Sequence, residues 1–172
     1  MRYKAANVVK VAFVVALMCV LAWVTIPFGP VPFTLQTLGI MIALQILSPK
    51  DSIIAVSVYL LLGTVGLPVF SSFGSGFGVL FGPTGGFLFG FLFGTLGYVF
   101  LKRLLEKSKL KNIVSLLAFL IICYVFGCGY YALAYKTGII TALTICAIPY
   151  IVPEILKLLL AFIVGKRIGR YL

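Results

Sequence analysis

The sequence predicts an all-α membrane protein, a single bundle of six transmembrane helices carrying ordered outer loops, and three observations lead there. First, 63% of the 172 residues are apolar and the mean hydropathy is +1.24. A soluble domain averages about 45–50% apolar residues, so this chain cannot build a water-facing surface. Second, the apolar residues come in continuous runs and do not alternate with polar ones. That excludes a transmembrane barrel and leaves helices, whose backbone hydrogen bonds close within the segment. Third, the basic residues sort to one side when six spans are drawn.

The elements follow in order. Span 1 covers residues 7–26 and ends at Pro27-Phe28-Gly29-Pro30. Its basic start and apolar run imitate a signal peptide, but no small-residue cleavage site precedes Pro27, so it reads as an uncleaved span. Span 2 covers residues 35–47 and span 3 residues 52–62, both short for a crossing of roughly 20 residues. Pro49-Lys50-Asp51 between them reads as a tight turn. Residues 63–86 hold eight glycines (Gly63, Gly66, Gly74, Gly76, Gly78, Gly82, Gly85, Gly86) and two prolines, too many for a stable helix. Phe70, Phe73, Phe77, Val79, Leu80 and Phe81 make the same stretch too apolar for a solvated linker. It is expected to be an ordered loop folded onto the bundle. Span 4 covers residues 83–105, with Pro83 in its first turn. Spans 5 and 6 cover 113–135 and 150–168, and residues 137–147 either extend span 5 or form a short outer helix.

Net charge is +11, from 14 Lys and Arg against 3 Asp and Glu. In a soluble protein this balance would point to nucleic acid. Here the charges lie between spans, where they set topology and meet anionic lipid. Arg2, Lys4, Lys10, Lys50, Lys102, Arg103, Lys107, Lys109, Lys111, Lys166, Arg167 and Arg170 are 12 of the 14, and with six spans all share one side. The opposite loops hold only Lys136. An odd span count breaks this sorting. The positive-inside rule then puts both termini in the cytoplasm of a cell with a bacterial inner membrane. No internal repeat or second domain interrupts residues 1–172.

Few residues carry chemistry. There is no His, and Cys19, Cys123, Cys128 and Cys146 lie inside apolar runs without CxxC spacing, so they read as small buried hydrophobes. No nucleophile is paired with a base, which argues against an intramembrane enzyme. No span has the polar stripe of a pore. The phosphate-loop pattern GxxxxGK[ST] is absent. What stands out is Glu154 and Lys157 inside span 6, three residues apart and therefore on one helix face. Intramembrane charges cost on the order of 3 kcal/mol each and usually mark function. The structural alternative is that Glu154 favours the helix dipole and Lys157 snorkels outward.

Between spans 1 and 2, Pro27, Pro30 and Pro32 stiffen an outer loop. Thr34 and Gln36 either turn polar atoms into the bundle mouth, or Thr34 caps span 2 and Gln36 bonds backbone. In the Gly-rich loop, Gly permits close approach to a ligand and the aromatics offer an apolar lid. Tyr59 either adds a hydroxyl to a site or anchors at the membrane interface. Ala12 and Ala16 on span 1 form a small-xxx-small spacing that lets another helix come close.

Read together, Val31-Pro32-Phe33-Thr34-Leu35-Gln36-Thr37, Tyr59-Leu60-Leu61-Leu62-Gly63, Gly66-Leu67-Pro68-Val69-Phe70 and Gly82-Pro83-Thr84-Gly85-Gly86-Phe87 resemble, in order and over nearly the whole chain, the signature blocks of the BioY family. These are the biotin-specific S components of energy-coupling factor (ECF) transporters. The resemblance implies a six-helix S-component fold. It implies a biotin pocket near the outer face, closed by the loops between spans 1 and 2 and between spans 3 and 4. It implies that Ala12 and Ala16 dock onto a transmembrane scaffold subunit coupled to two cytoplasmic ATPases. The chain itself then needs no cofactor, because ATP is used by the partners. The family's sixth-helix block usually has an aspartate three residues before a lysine; here the acid is Glu154, one methylene longer. On this resemblance Glu154 accepts from the ureido N–H groups and Lys157 donates to the ureido carbonyl. Tyr59, Phe70, Phe73 and Phe87 are the expected walls. Thr34, Gln36, Ser71, Ser72 and the backbone around Gly85 and Gly86 are the expected hydrogen-bonding groups. An S component for another small vitamin shares every bulk feature and differs only in pocket chemistry.

Overall fold

The computed structural model describes residues 5–168; Arg2, Lys4 and Arg170 of the charge pattern lie outside them. Eight α-helices run along the described residues: α1 (Ala5–Trp23), α2 (Gln36–Ile46), α3 (Pro49–Val65), α4 (Phe77–Leu80), α5 (Gly85–Leu104), α6 (Lys111–Ala134), α7 (Ile139–Cys146) and α8 (Ile151–Ile168). Four stretches are long and apolar enough to cross a membrane: α1, α5, α6 and the Ile139–Ile168 segment containing α7 and α8. The chain is therefore a multi-pass membrane protein. α3 has 17 residues and α2 only 11, about 16 Å at 1.5 Å per residue, so length alone does not make a crossing of either.

α2 is short because it sits inside. Every residue from Gln36 to Leu44 is buried, apolar all round except for Gln36 and Thr37 at its start. A helix of this kind belongs to a core rather than a lipid-facing wall. It packs mainly on α8, with α1 and α3 also against it. α5 and α6 form the other closely packed pair. Gly90 makes this approach possible: an added Cβ would come 2.9 Å from the Cys123 Cα on α6, and the Cys123 thiol reaches the Gly90 carbonyl at 3.2 Å.

The helix starts and loops differ from expectation in definable ways. Pro49-Lys50-Asp51 is the first turn of α3, not a free-standing turn. Ser48 is its N-cap, accepting from the Asp51 N–H (3.3 Å) and donating to the Asp51 carboxylate (2.8 Å), while Pro49 occupies a position whose N–H would have no helical partner. The end of expected span 1 leaves the helix: Thr25–Ile26 (β1) pairs antiparallel with Phe33–Thr34 (β2). Residues 137–147 contain a short helix of their own, α7, rather than prolonging α6. The Gly-rich stretch is ordered, with a 3₁₀ turn at Ser71–Phe73 and the short α4.

Candidate functional site

The first turn of α8 meets the first turn of α2. This brings Glu154 and Lys157, one helical turn apart and 6% and 4% exposed, against Thr34 and Thr37. The Lys157 ammonium donates to Glu154 Oε1 at 2.5 Å, to the Thr34 carbonyl at 2.7 Å and to Thr37 Oγ1 at 3.0 Å. Three donors have three acceptors, which exhausts a lysine. The Phe33 ring lies beneath the ammonium, its centroid 4.4 Å from Nζ, adding a cation–π contact. Thr37 in turn donates to Glu154 Oε1 at 3.0 Å. One carboxylate oxygen thus receives two bonds. The other, Oε2, is buried and has no partner among the described residues. A buried charged oxygen left unpartnered is costly, and native structures seldom keep one without a use.

Glu154 and Lys157 line a small, partly open cavity of about 50 Å³. Phe33, Phe70, Phe87, Leu88, Phe91 and Tyr124 make its walls, with Thr34, Gln36, Thr37, Ser71 and Thr84 as polar points. Phe87 and Tyr124 meet edge to face at 5.5 Å. Lys157 is the one cation in this lining.

Three hydrogen-bonded ties hold the walls in place. The Tyr150 hydroxyl reaches the carbonyls of Phe28 (3.0 Å) and Val31, fastening the β1–β2 loop to the start of α8. Gln36 Nε2 donates to the Tyr59 hydroxyl at 2.6 Å, which donates to the Val69 carbonyl at 2.9 Å, joining α2, α3 and the Gly-rich loop. Trp23 Nε1 donates to the Pro68 carbonyl at 2.7 Å, and the Ser72 N–H donates to Thr25 Oγ1 at 3.2 Å, joining the two outer loops to each other.

Of the residues singled out in the sequence, Glu154, Lys157, Thr34, Gln36, Phe70, Ser71 and Phe87 lie on the cavity. Thr34 accepts the Gln36 N–H on its hydroxyl, so it does serve the start of α2 while facing the cavity. Five others lie elsewhere. Tyr59 is fully buried behind the wall, in the tie just described and edge to face with Phe70. Ser72 and Phe73 adopt left-handed backbone (φ 55° and 58°), which turns the Phe73 ring outward, 60% exposed and stacked on Trp23 at 5.2 Å. Gly85 and Gly86 serve close packing: an added Cβ would overlap the Leu80 carbonyl at the first and the Tyr130 side chain at the second. Thr37, Tyr124 and Tyr150 line the cavity without having been singled out. The spacing of Thr37 was the available signal, since a polar residue in the first turn of a buried helix needs a partner.

Ala12 and Ala16 are well away from the cavity, exposed on α1. They line a shallow apolar groove between α1 and α3 together with Val8, Val15, Ile54 and Val58.

Known proteins share this sequence pattern and this fold. The sequence matches the model of the BioY family over residues 1–172. It is 35% identical over 171 residues to a probable biotin transporter BioY of Pyrococcus horikoshii, covering 96% of this chain and 97% of that protein. It is 29% identical over 153 residues to a biotin transporter BioY of Rhizobium etli, covering 84% and 81%. The fold superposes with a TM-score of 0.89 on the crystal structure of the S component for biotin from an ECF-type ABC transporter, at 28% identity, over 97% of this chain and 92% of that one.

Proposed function

The chain belongs to the BioY family, and from that premise we propose that it is the biotin-binding membrane subunit of an ECF-type ABC uptake transporter. The observation that carries this reading is the Glu154 carboxylate in the cavity lining, with Oε1 held by Lys157 and Thr37 and Oε2 buried without a partner among the described residues. Biotin's ureido ring presents N–H donors, and Oε2 is an acceptor for one of them. Lys157 places a positive charge beside that carboxylate. A charge-assisted bond in a desolvated site is about twice as strong as a neutral one.

The ureido carbonyl requires a donor. Thr34 accepts from the Gln36 N–H and keeps its own hydroxyl hydrogen to donate; Lys157 serves the same role when it exchanges the Thr34 carbonyl for the ligand. The thioether ring and aliphatic tail pack among Phe70, Phe87, Leu88 and Phe91. The carboxylate points to the mouth, toward Ser71 and solvent, because Lys157 is committed to the opposite end of the ligand.

Six crossings fit the charge sorting, with α2 and α3 completed by the ordered loops and both termini in the cytoplasm. Ala12 and Ala16 offer α1 to a transmembrane scaffold subunit at short range. Two cytoplasmic ATPases acting through that scaffold reorient the loaded subunit and release biotin inside. The chain needs no cofactor for its part.

The test is ligand-induced thermal stabilisation of the purified, detergent-solubilised chain against a panel of biotin and other water-soluble vitamins. Saturating biotin at 100 times its dissociation constant adds about 2.7 kcal/mol of stability. Stabilisation by biotin supports the reading. Stabilisation by a different vitamin, with none from biotin, would overturn it.

A further inference from the structure

α5 has two differently equipped ends. Its N-terminal half lines the cavity, whereas Val99, Lys102 and Arg103 near its C-terminus line a second groove with Ser48, Pro49, Lys50 and Ile53 of the α3 start and with Lys111 at the start of α6. Leu88 and Lys102 are fourteen residues apart, so about 21 Å of helix separates the two sites. The groove has an empty volume of about 1310 Å³ counting its open mouth.

Four cations (Lys50, Lys102, Arg103, Lys111) and one anion (Glu106) line this groove, a formal balance of 4 − 1 = +3. The acceptors met by two of the ammonium groups carry no charge. Lys102 donates to the Tyr98 hydroxyl at 2.8 Å, and Lys111 to the main-chain carbonyl of Glu106 at 3.3 Å. The four cations thus share one hollow with a single lining carboxylate, Glu106. Below the cations the lining becomes apolar at Ile53 and Val99. On the same helix, Phe100 and Leu104 are each 69% exposed and one turn apart. Cations above an apolar trough is the arrangement that accommodates a phosphate with its acyl tails. An acidic protein segment would satisfy the cations and leave the trough unused.

We infer that this groove is a binding site for the phosphate headgroup of an anionic phospholipid, with Lys50, Lys102, Arg103 and Lys111 as its cation cluster. The inference does not depend on which vitamin the cavity holds.

The test is native mass spectrometry of the full chain in detergent with equal amounts of phosphatidylglycerol and phosphatidylcholine bearing the same acyl chains. Wild type is expected to retain phosphatidylglycerol in preference. The K50Q/R103Q variant removes two exposed cations and should weaken that preference about 25-fold, about fivefold per charge. The charge-preserving K50R/R103K variant should restore it. Helix content by circular dichroism and the thermal unfolding midpoint should be the same in all three proteins, which shows the variants are folded. Equal retention of both lipids by wild type would overturn the proposal, as would an undiminished preference in K50Q/R103Q. Displacement of the bound lipid by inorganic phosphate alone would overturn the lipid assignment. Unselective lipid retention, combined with loss of scaffold co-purification in K50Q/R103Q, would reassign the cations to a protein contact.

Discussion

Glu154→Gln is the most informative single change, because it keeps the shape of the side chain and alters one atom's role. In the wild type, Oε1 accepts from Lys157 at 2.5 Å and from Thr37 at 3.0 Å. The amide carbonyl of glutamine takes over both bonds, so the α2–α8 contact survives. The unpartnered Oε2, however, becomes an NH₂ group. An acceptor facing the ureido N–H is thereby replaced by a donor, and the negative charge is lost. Breaking a buried, hydrogen-bonded charged contact costs about 2–5 kcal/mol, which is about 30-fold to several-thousand-fold in affinity. Isothermal titration of the purified variant with biotin measures this directly, with circular dichroism to confirm that helix content is unchanged. Thr37→Val is the graded companion: it removes one neutral donor to Oε1 and one neutral acceptor of Lys157 and leaves Oε2 as it is, so a loss of about fivefold or somewhat more is expected. If E154Q binds biotin within about threefold of wild type, the carboxylate is not the ureido acceptor and the reasoning fails.

Three further perturbations probe the surroundings. Tyr150→Phe removes the hydroxyl that fastens the β1–β2 loop through the Phe28 and Val31 carbonyls; ligand release measured by stopped-flow should quicken about fivefold, for about 1 kcal/mol of lost hydrogen bonding. Tyr59→Phe leaves the Val69 carbonyl and the Gln36 amide without their shared partner in a buried place, so thermal unfolding should register a destabilisation of about 1–3 kcal/mol, detectable without ligand. Ala12→Trp fills the α1–α3 groove from its exposed rim and should leave biotin affinity unchanged while preventing co-purification with a scaffold subunit; normal co-purification would remove Ala12 from that contact.

The legible part of the site was the part made of charge. A glutamate and a lysine one turn apart in an apolar span have few inexpensive places to be, and both lie on the cavity. Aromatic residues were less legible, because Phe and Tyr serve core, lipid face and ligand wall with the same chemistry. Phe70 and Phe73 illustrate this. They are three residues apart in one loop, yet the left-handed backbone at Ser72 and Phe73 leaves Phe70 fully buried and sends Phe73 out onto Trp23. A conformation of that kind is uncommon for bulky residues and leaves no trace in periodicity. Tyr124 sits in the middle of a continuous apolar run, and its position on the cavity follows from how α6 packs on α5, a tertiary fact. Gly85 and Gly86 were read for ligand approach, but helix packing makes the same demand for a missing Cβ. The fold was legible in its helices and less so in their ends. Pro49 marks a turn and a helix start equally well until the Ser48 cap is seen, and α2 and α3 are too short for length to decide whether they cross.

A structure of the chain with biotin bound tests the central claim most directly. It should place a ureido nitrogen within hydrogen-bond distance, about 2.7–3.2 Å, of Glu154 Oε2, with Oε1 still held by Lys157. A ureido ring turned toward the mouth, with Oε2 meeting no part of the ligand, would contradict the account.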